Sequence, residues 1–544
     1  MTLSIPWYKN AIIYAVDVAT FQDSNGDGIG DFPGLLSRLD YLADLGVTCL
    51  WLLPLCPSPD RDNGYDVTHY YEVDSALGTL DDFSEVVHQA GERGIRILVD
   101  LVMHHTSDEH PWFQAARRDR HSRFRSYYVW SDVPPPTEST QPVFPGEERS
   151  VWTYDQIAGA YYYHAFYHFE PNLNSGNPEV RAEILRVMDF WLCFGVSGFR
   201  LDSVNHMIDR KETSPPDGHG MLKEFRRHVA RRHEDAVLLG EADVEQDKLA
   251  AFFGDSDELH MLYNFLLDSY LFLALARESA EPLARAVSLV PQVPVGGQWA
   301  NFLRNLDELD LERLVEAERQ DIYKAFAPEP RMRIYGRGTR RRLAPMLGER
   351  RRVEMAFSLL FSWPGAPLFV YGDEIGMGED LSLDGRNAVR TSMQWSRDRH
   401  AGFSTIENGQ PRKPVIADGG PFDYRRLNVA DQTKDPESLL NWVKRLIAVR
   451  RGCPELGCGA MDVVETGEPA VFAHRCRWDN RELLAVHNLS GKDRTVTLRL
   501  HAGRSAMLAP LLSSDGRTER IEGRLLELDP YGYRWYRIDA REGR

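Results

Sequence analysis

Cysteine is scarce in this chain, with six residues in 544, at positions 49, 56, 193, 453, 458 and 476. So few and so scattered, they do not frame a disulfide-stapled fold. Cys453 and Cys458 are close enough to pair, but free thiols are the expectation, and with them a cytoplasmic setting. No apolar run approaches the roughly 20 residues of a membrane-spanning helix. Met1–Pro6 is too short, and too soon followed by Trp7-Tyr8-Lys9, to read as a signal peptide. Basic residues are also short, 64 against 81 acidic, and the formal net charge of −17 argues against a nucleic-acid or anionic-membrane partner. That balance suits a soluble enzyme acting on a neutral substrate. Internal repeats and low-complexity segments are absent. The length exceeds one ordinary domain and fits a barrel with an insertion and a small second domain.

What the chain does have is a recurring pattern of apolar strands ending in acids or histidines. In Gly198-Phe199-Arg200-Leu201-Asp202-Ser203, Arg200 and Asp202 are two apart on a strand and so share a face. A guanidinium there keeps the carboxylate ionised, as a nucleophilic carboxylate requires. Leu238-Leu239-Gly240-Glu241, Asn301-Phe302-Leu303-Arg304-Asn305-Leu306-Asp307 and Ile97-Leu98-Val99-Asp100 through His104-His105 repeat the form. Alone, each acid reads as a structural ion pair. Together, strands of this kind alternating with helical patterns describe an α/β fold of the (β/α)8 TIM-barrel type, with its chemistry at the carboxyl ends of the strands.

From Trp7 to about Pro454 the sequence resembles the α-amylase superfamily, glycoside hydrolase family 13. Within it the likeness is to the trehalose-synthase branch, which interconverts maltose and trehalose. Trp51-Leu52-Leu53-Pro54 with Pro57-Ser58-Pro59, Thr106 to Phe113, Arg340-Arg341-Arg342-Leu343-Ala344-Pro345 and Tyr371-Gly372-Asp373-Glu374 to Gly378 carry it, beside the four strand ends. The resemblance implies Asp202 as nucleophile, Glu241 as general acid/base and Asp307 as the carboxylate that grips the sugar's 2- and 3-hydroxyls. It implies that Arg200 orients Asp202, that His105 meets the 6-hydroxyl, and that Tyr65 and Asp66 line the glucose subsite. Arg390 matches an arginine expected to pair with Asp66 and close the pocket at one sugar, which makes the enzyme exo-acting.

The loop Asp23-Ser24-Asn25-Gly26-Asp27-Gly28-Ile29-Gly30-Asp31 places oxygen side chains at alternate positions, as in the first part of an EF-hand, but Gly34 stands where the bidentate Glu would be. It resembles the family's calcium loop after the first strand, with Asp23, Asn25, Asp27, Ile29 and Asp31 as ligands of a structural calcium. No organic cofactor is implied. Residues 1–106 and 178–455 are expected to form the barrel, 107–177 an inserted B subdomain, 308–352 a helical cover over the site, and 456–544 an antiparallel β-sandwich. The arginine-rich stretch from Arg331 to Arg342 reads as an acid-paired, architectural face. Homo-oligomerisation through the last domain is left open.

Several positions depart from the family pattern. Region four reads Asn305-Leu306-Asp307 where relatives have Asn-His-Asp, and losing that hydrogen-bond donor, worth about 0.5–1.5 kcal/mol, is expected to reshape the glucose subsite. His104 stands in place of Asn, Asp243 of Asn, Asn172 of Asp, Ser392 of Pro and Ala19 of Arg. Three readings follow: a maltose–trehalose isomerase, an α-glucosidase or transglucosidase of altered specificity, and a sugar-binding protein without activity.

Overall fold

Eight short apolar strands build the centre of the molecule. They are Ile13–Val16 (β1), Cys49–Leu52 (β2), Arg96–Leu101 (β3), Gly198–Leu201 (β4), Val237–Gly240 (β5), Met261–Tyr263 (β6), Gln298–Phe302 (β7) and Ala366–Val370 (β8). The computed structural model describes residues 5–135, 142–208, 213–215, 217–499, 507–522 and 525–539. All eight strands pair in parallel and close on themselves in the order β1-β8-β7-β6-β5-β4-β3-β2. Except for Arg96 at the foot of β3, every strand residue is buried, the condition of a parallel sheet covered on both faces. At Gly198, where β4 begins, φ is +137° and a Cβ would meet the Val237 carbonyl oxygen at 2.0 Å. Only glycine lets the strand that carries Arg200 lie this close to β5.

Between β1 and β2 run two helices, Phe32–Ser37 and Leu39–Leu45, separated by a break at Arg38. Arg38 turns its Nε to Gln22 Oε1 at 2.8 Å and lays its guanidinium 4.1 Å over the Trp395 ring. Between β3 and β4 a three-stranded sheet (Trp130–Ser131, Ala160–Tyr163, Trp152–Asp155) holds its own small core of Phe144, Val151, Tyr163, Ala165 and Phe166. The cover that follows β7 is mixed rather than wholly helical. The helix Glu316–Phe326 is joined by a three-stranded sheet of Leu309–Asp310, Gly338–Thr339 and Arg333–Ile334. Its arginines are spent internally: Arg341 on Glu379 at 2.6 Å, Arg337 on Asp310 at 2.9 Å, Arg342 on the Tyr371 carbonyl at 2.6 Å.

Beyond residue 459 a six-stranded antiparallel sheet faces a two-stranded one, Arg494–Thr497 with Leu525–Leu528. Val471, Leu484, Val486, Val496, Leu526 and Tyr536 fill the space between them, completing the sandwich. All six cysteines are free thiols, Cys453 and Cys458 included. Among the described residues no helix is long and apolar enough to cross a membrane.

The sandwich docks on the barrel through buried histidines. His487 Nε2 meets Ser358 Oγ at 2.9 Å and His474 Nε2 meets the Ser362 carbonyl at 2.9 Å, their rings stacked 6.1 Å apart. Burial lowers both, His474 to about 4 and His487 well below its ordinary value, the latter also because of His474. An unfolded chain takes protons on both rings near pH 6.5 while the native one refuses them. Their contribution to stability is therefore whole above about pH 6.5 and is lost as pH falls towards 4. Replacing His474 by Gln should lower Tm at pH 7 yet flatten its acid decline between pH 6.5 and 4 by about one proton's worth of slope, read by calorimetry across that range.

Candidate active site

The barrel's register places Arg200 of β4 directly opposite Asp100 of β3. Its guanidinium is 1% exposed and is walled by the rings of Trp51, Tyr65 and Tyr263 at 5.2, 5.7 and 5.9 Å. Nη1 donates to Asp100 Oδ1 at 2.9 Å and to Asp202 Oδ1, and Nη2 to Glu241 Oε2 at 2.6 Å. Asp100 is tied further by the Tyr65 hydroxyl at 3.0 Å and the Trp51 indole at 3.3 Å. After Leu201 the chain turns sharply, with Ser203 at φ +40°, so that Ser203 N–H donates to Glu241 Oε2 at 3.1 Å. A non-glycine residue there marks local strain of the kind that collects at active sites.

One guanidinium cannot balance three buried carboxylates. Burial, offset only in part by Arg200 and reinforced by Asp202 and Asp307, raises Glu241 to about 8, and burial with Asp202 raises Asp100 to about 7. Glu241 therefore holds a proton at neutral pH while lying one fork's width from Asp202. Asp307 behaves in the opposite way. Burial would raise it, but Arg386, Arg390 and Arg200 outweigh that and hold it below the usual carboxylate range. Arg390 Nη2 and Arg386 Nη1 reach Asp307 Oδ1 at 2.6 and 3.1 Å. The preceding Leu306 sits at φ +73°, pinned by Arg390 Nε on its carbonyl at 3.0 Å. Its side chain is buried in the core and does not face the cavity.

A cavity of about 470 Å³ opens here, its lining including Tyr65, His105, Arg386 and the rings of Phe144, Phe166 and Tyr335. Asp202, Glu241, Asp307, Tyr65, His105 and Arg200 come together there. Asp66 does not. It is fully buried against Ser58 Oγ at 2.7 Å and Arg61 Nε at 3.1 Å, and it accepts from the Asp62 backbone at 3.2 Å. The expected pairing of Arg390 with Asp66 is thus corrected: Arg390 serves Asp307, and Asp66 shapes the turn that presents Asp62. It is Asp62 that lines the cavity, raised to about 7 by burial, against the pull of Arg386 and Arg390. Both acids lie in the one turn Asp62-Asn63-Gly64-Tyr65-Asp66, and only its path tells them apart. Arg386 was equally invisible, because nothing in Gly385-Arg386-Asn387 predicts its approach to Asp307 from across the barrel mouth.

In the loop after β1, Asp23 is buried, and its carboxylate accepts from the backbone of Asn25, Gly26 and Gly28 at 2.7–3.0 Å. Asn25 caps Asp27 N–H and Asp27 caps Ile29 N–H, both at 2.8 Å, while Asp31 accepts from Ser24 N–H at 3.0 Å. The donor set, hard oxygens at alternate positions, suits calcium, although Asp23, Asp27 and Asp31 do not bring three oxygens within 4.8 Å of one another. Among the described residues only Asp243, Asp310 and Glu312 do so, and each is ion-paired to Arg313 or Arg337.

The two loop acids separate experimentally. Asp62→Asn should cut kcat/KM for an α-glucoside about 10- to 100-fold, the loss of a charged hydrogen bond or two, with Tm nearly unchanged. Asp66→Asn should instead cost stability, about 1–3 kcal/mol by denaturant unfolding. The reverse pattern would return the subsite to Asp66.

The chain matches the alpha amylase catalytic-domain family over residues 15–458, and the sucrose hydrolase-like C-terminal domain over residues 481–537. It is 39% identical to the trehalose synthase of Pimelobacter sp. (strain R48), covering 98% of this chain and 96% of that one. With the trehalose synthase of Thermus thermophilus it shares 40% identity over 98% of its own length, and it spans 56% of that longer relative. The solved trehalulose synthase MutB of Pseudomonas mesoacidophila MX-45 superimposes with a TM-score of 0.79 at 27% identity, covering 99% of this chain and all of that one. A closed parallel barrel bearing three acids at its strand ends, matched by family over most of its length, leaves one assignment: the chain belongs to the α-amylase family, glycoside hydrolase family 13, and is an enzyme of its hydrolase and transglycosidase class.

Proposed function

We propose that the protein is a retaining, exo-acting enzyme that interconverts maltose and trehalose by intramolecular transglucosylation. The observation that carries the reading is the single guanidinium shared by Asp202 and Glu241. Two carboxyl groups gripped by one fork lie close together, which suits a covalent mechanism, whose carboxyl groups stand about 5–5.5 Å apart, rather than the wider gap that admits a water in an inverting one. Glu241, protonated at neutral pH, gives its proton to the glycosidic oxygen while Asp202 attacks the anomeric carbon. The released glucose, held in the cavity, turns and attacks the β-glucosyl-enzyme through its 1-hydroxyl as Glu241 takes the proton back. Asp307, kept ionised by Arg386 and Arg390, accepts the sugar's hydroxyl hydrogens, and Asp62 with these arginines closes the far end of the pocket at one glucose. The relatives near 40% identity are named trehalose synthases, which supports trehalose as one of the two sugars.

The second reading, an α-glucosidase or transglucosidase, has its own support. Bacillus subtilis has a probable oligo-1,6-glucosidase that is 30% identical over 98% of this chain, and the cavity lining includes the Asp243–Arg313 ion pair. A sugar-binding protein without activity is disfavoured by the complete set of Arg200, Asp202, Glu241 and Asp307. The free thiols suit a cytoplasmic enzyme, and the acidic net charge suits one with no nucleic-acid or membrane partner.

Incubation with maltose, trehalose and sucrose separately decides among these. Trehalose from maltose with little free glucose is the expected result, and Asp202→Asn should abolish it. Free glucose or new oligosaccharides as main products would establish the glucosidase. Turnover of none of them, nor of a wider α-glucoside panel, would leave a binding protein. Because Glu241 must be protonated to act as acid, kcat/KM should decline as pH rises through about 8, and a Glu241→Gln enzyme should lose that limb together with its activity on unactivated sugars.

Calcium in the Asp23–Asp31 loop belongs to the proposal as a structural ion that takes no part in the reaction. Addition of calcium should raise Tm and a chelator lower it, with no change in an Asp23→Asn variant. Identical melting in both would remove the metal.

A further inference from the structure

Two charged groups that line the cavity, Asp62 and Arg386, reach it from opposite ends of the chain. Asp62 stands on the loop after β2, and Arg386 in the short helical turn Gly385–Val389 after β8. A lysine outside the cavity spans the two segments. Lys413 Nζ donates to Asn63 Oδ1 and to Asn387 Oδ1, each at 2.6 Å. Asn63 directly follows Asp62, and Asn387 directly follows Arg386. Neither asparagine lines the cavity, nor does Lys413. One ammonium, with donors enough for both amides, thus holds the residue next to each cavity-lining group.

The lysine is itself held in place. Its carbonyl accepts from Ser392 Oγ at 2.7 Å, the Pro414 carbonyl accepts from Ser392 N–H at 2.9 Å, and Arg412 N–H donates to the Gly28 carbonyl at 3.0 Å. A proline at position 392, the residue of the family pattern, has neither a hydroxyl nor an N–H to give. Ser392 stands two residues after Arg390, so the segment that carries Lys413 is fastened to the stretch it clasps. The asparagines are committed as well. Asn63 takes φ +52°, a left-handed conformation that asparagine tolerates better than most residues. The Asn387 carbonyl accepts from Arg390 N–H at 3.1 Å, which links the clasp to the arginine that holds Asp307. Burial works against the charge of Lys413, and Asp60 and Asp17 support it. Asp60 belongs to the Asp62 loop and is also ion-paired to Arg412, so two neighbouring cations reach that loop.

We propose that Lys413 is a positioning residue that presets the glucose end of the pocket by clasping the segments that present Asp62 and Arg386. The inference rests on those two groups forming that end. A pocket closed by two separate segments must hold them at the spacing of one sugar before the sugar arrives. Otherwise, ordering them is paid out of the binding free energy. The far end of the glucose ring is gripped alike in the bound substrate and in the transition state. Loss of the clasp therefore weakens both equally, which raises KM and leaves kcat. Lys413 touches neither substrate nor reacting atoms.

Lys413→Met keeps an unbranched stem and removes the donor. With a nitrophenyl α-glucoside its KM should rise about tenfold, the equivalent of one charge-assisted hydrogen bond, while kcat stays within about threefold. Asn387→Ala, which leaves the lysine in place, should raise KM several-fold, and it decides the question if the lysine variant does not fold. The double variant should be within about twofold of Lys413→Met alone, because both changes open one clasp. A lowered Tm with native KM in these variants would overturn the proposal in favour of a staple that serves stability only. Multiplying effects in the double variant, or a fall in kcat at native KM, would overturn it too. Asp62→Asn separates the two claims. If that variant keeps native kcat/KM, the assignment of the glucose end fails. If it is impaired while Lys413→Met keeps native KM, only the role of Lys413 fails.

Discussion

Three carboxylates, Asp100, Asp202 and Glu241, meet one buried guanidinium at the mouth of the barrel, and the rest of the site follows from that imbalance. Removing an ion from water costs several kcal/mol even after the protein relaxes, and Arg200 supplies a single charge against three. The protein meets the shortage by keeping protons on some of the acids. Glu241 rises to about 8 and Asp100 to about 7, while across the cavity Asp307 is held below the usual carboxylate range. Acids pushed in opposite directions by their surroundings let a single pocket hold a proton on one carboxyl and a charge on another.

The opposite wall of the cavity has the reverse excess. Two arginines, Arg386 and Arg390, converge on Asp307 and keep it charged. Arg386 also lies 4.9 Å from the Phe144 ring and 5.7 Å from that of Tyr335, and those two rings stack at 4.8 Å. Phe144 comes from the inserted domain and Tyr335 from the cover after β7, so the residue that holds Asp307 also joins the two lobes over the pocket. The proposed intramolecular transfer, in which a freed glucose is retained through half a turnover, would benefit from such a closure. The barrel supplies the acids, and the two insertions supply the enclosure.

Leu306, where the family resemblance leads one to expect histidine, is buried and does not line the cavity. It packs into the core at φ +73°, a conformation costing a leucine about 1–2 kcal/mol, held by Arg390 on its carbonyl.

The barrel was legible in the sequence because a parallel strand buried on both faces must be apolar throughout, and because the change from apolar run to acid marks where it ends. Arg200 beside Asp202 could be read from strand periodicity alone, and the free thiols from their spacing. β6, three residues long, lacks the length for any periodicity to show. Asp62 and Asp66 have the same chemistry in one short turn, and only the fold, by spending Asp66 on Ser58 and Arg61, decides which acid the cavity receives. Arg390 met Asp307 rather than Asp66, and Arg386 reached the site unannounced, since residues some 80 positions apart are brought together by barrel closure and not by any local pattern. Composition and periodicity are local properties and determine strands, order and the identity of the acids. Which charge faces which, and therefore which acid keeps its proton, is set by distances across the closed barrel that exist only once the chain has folded.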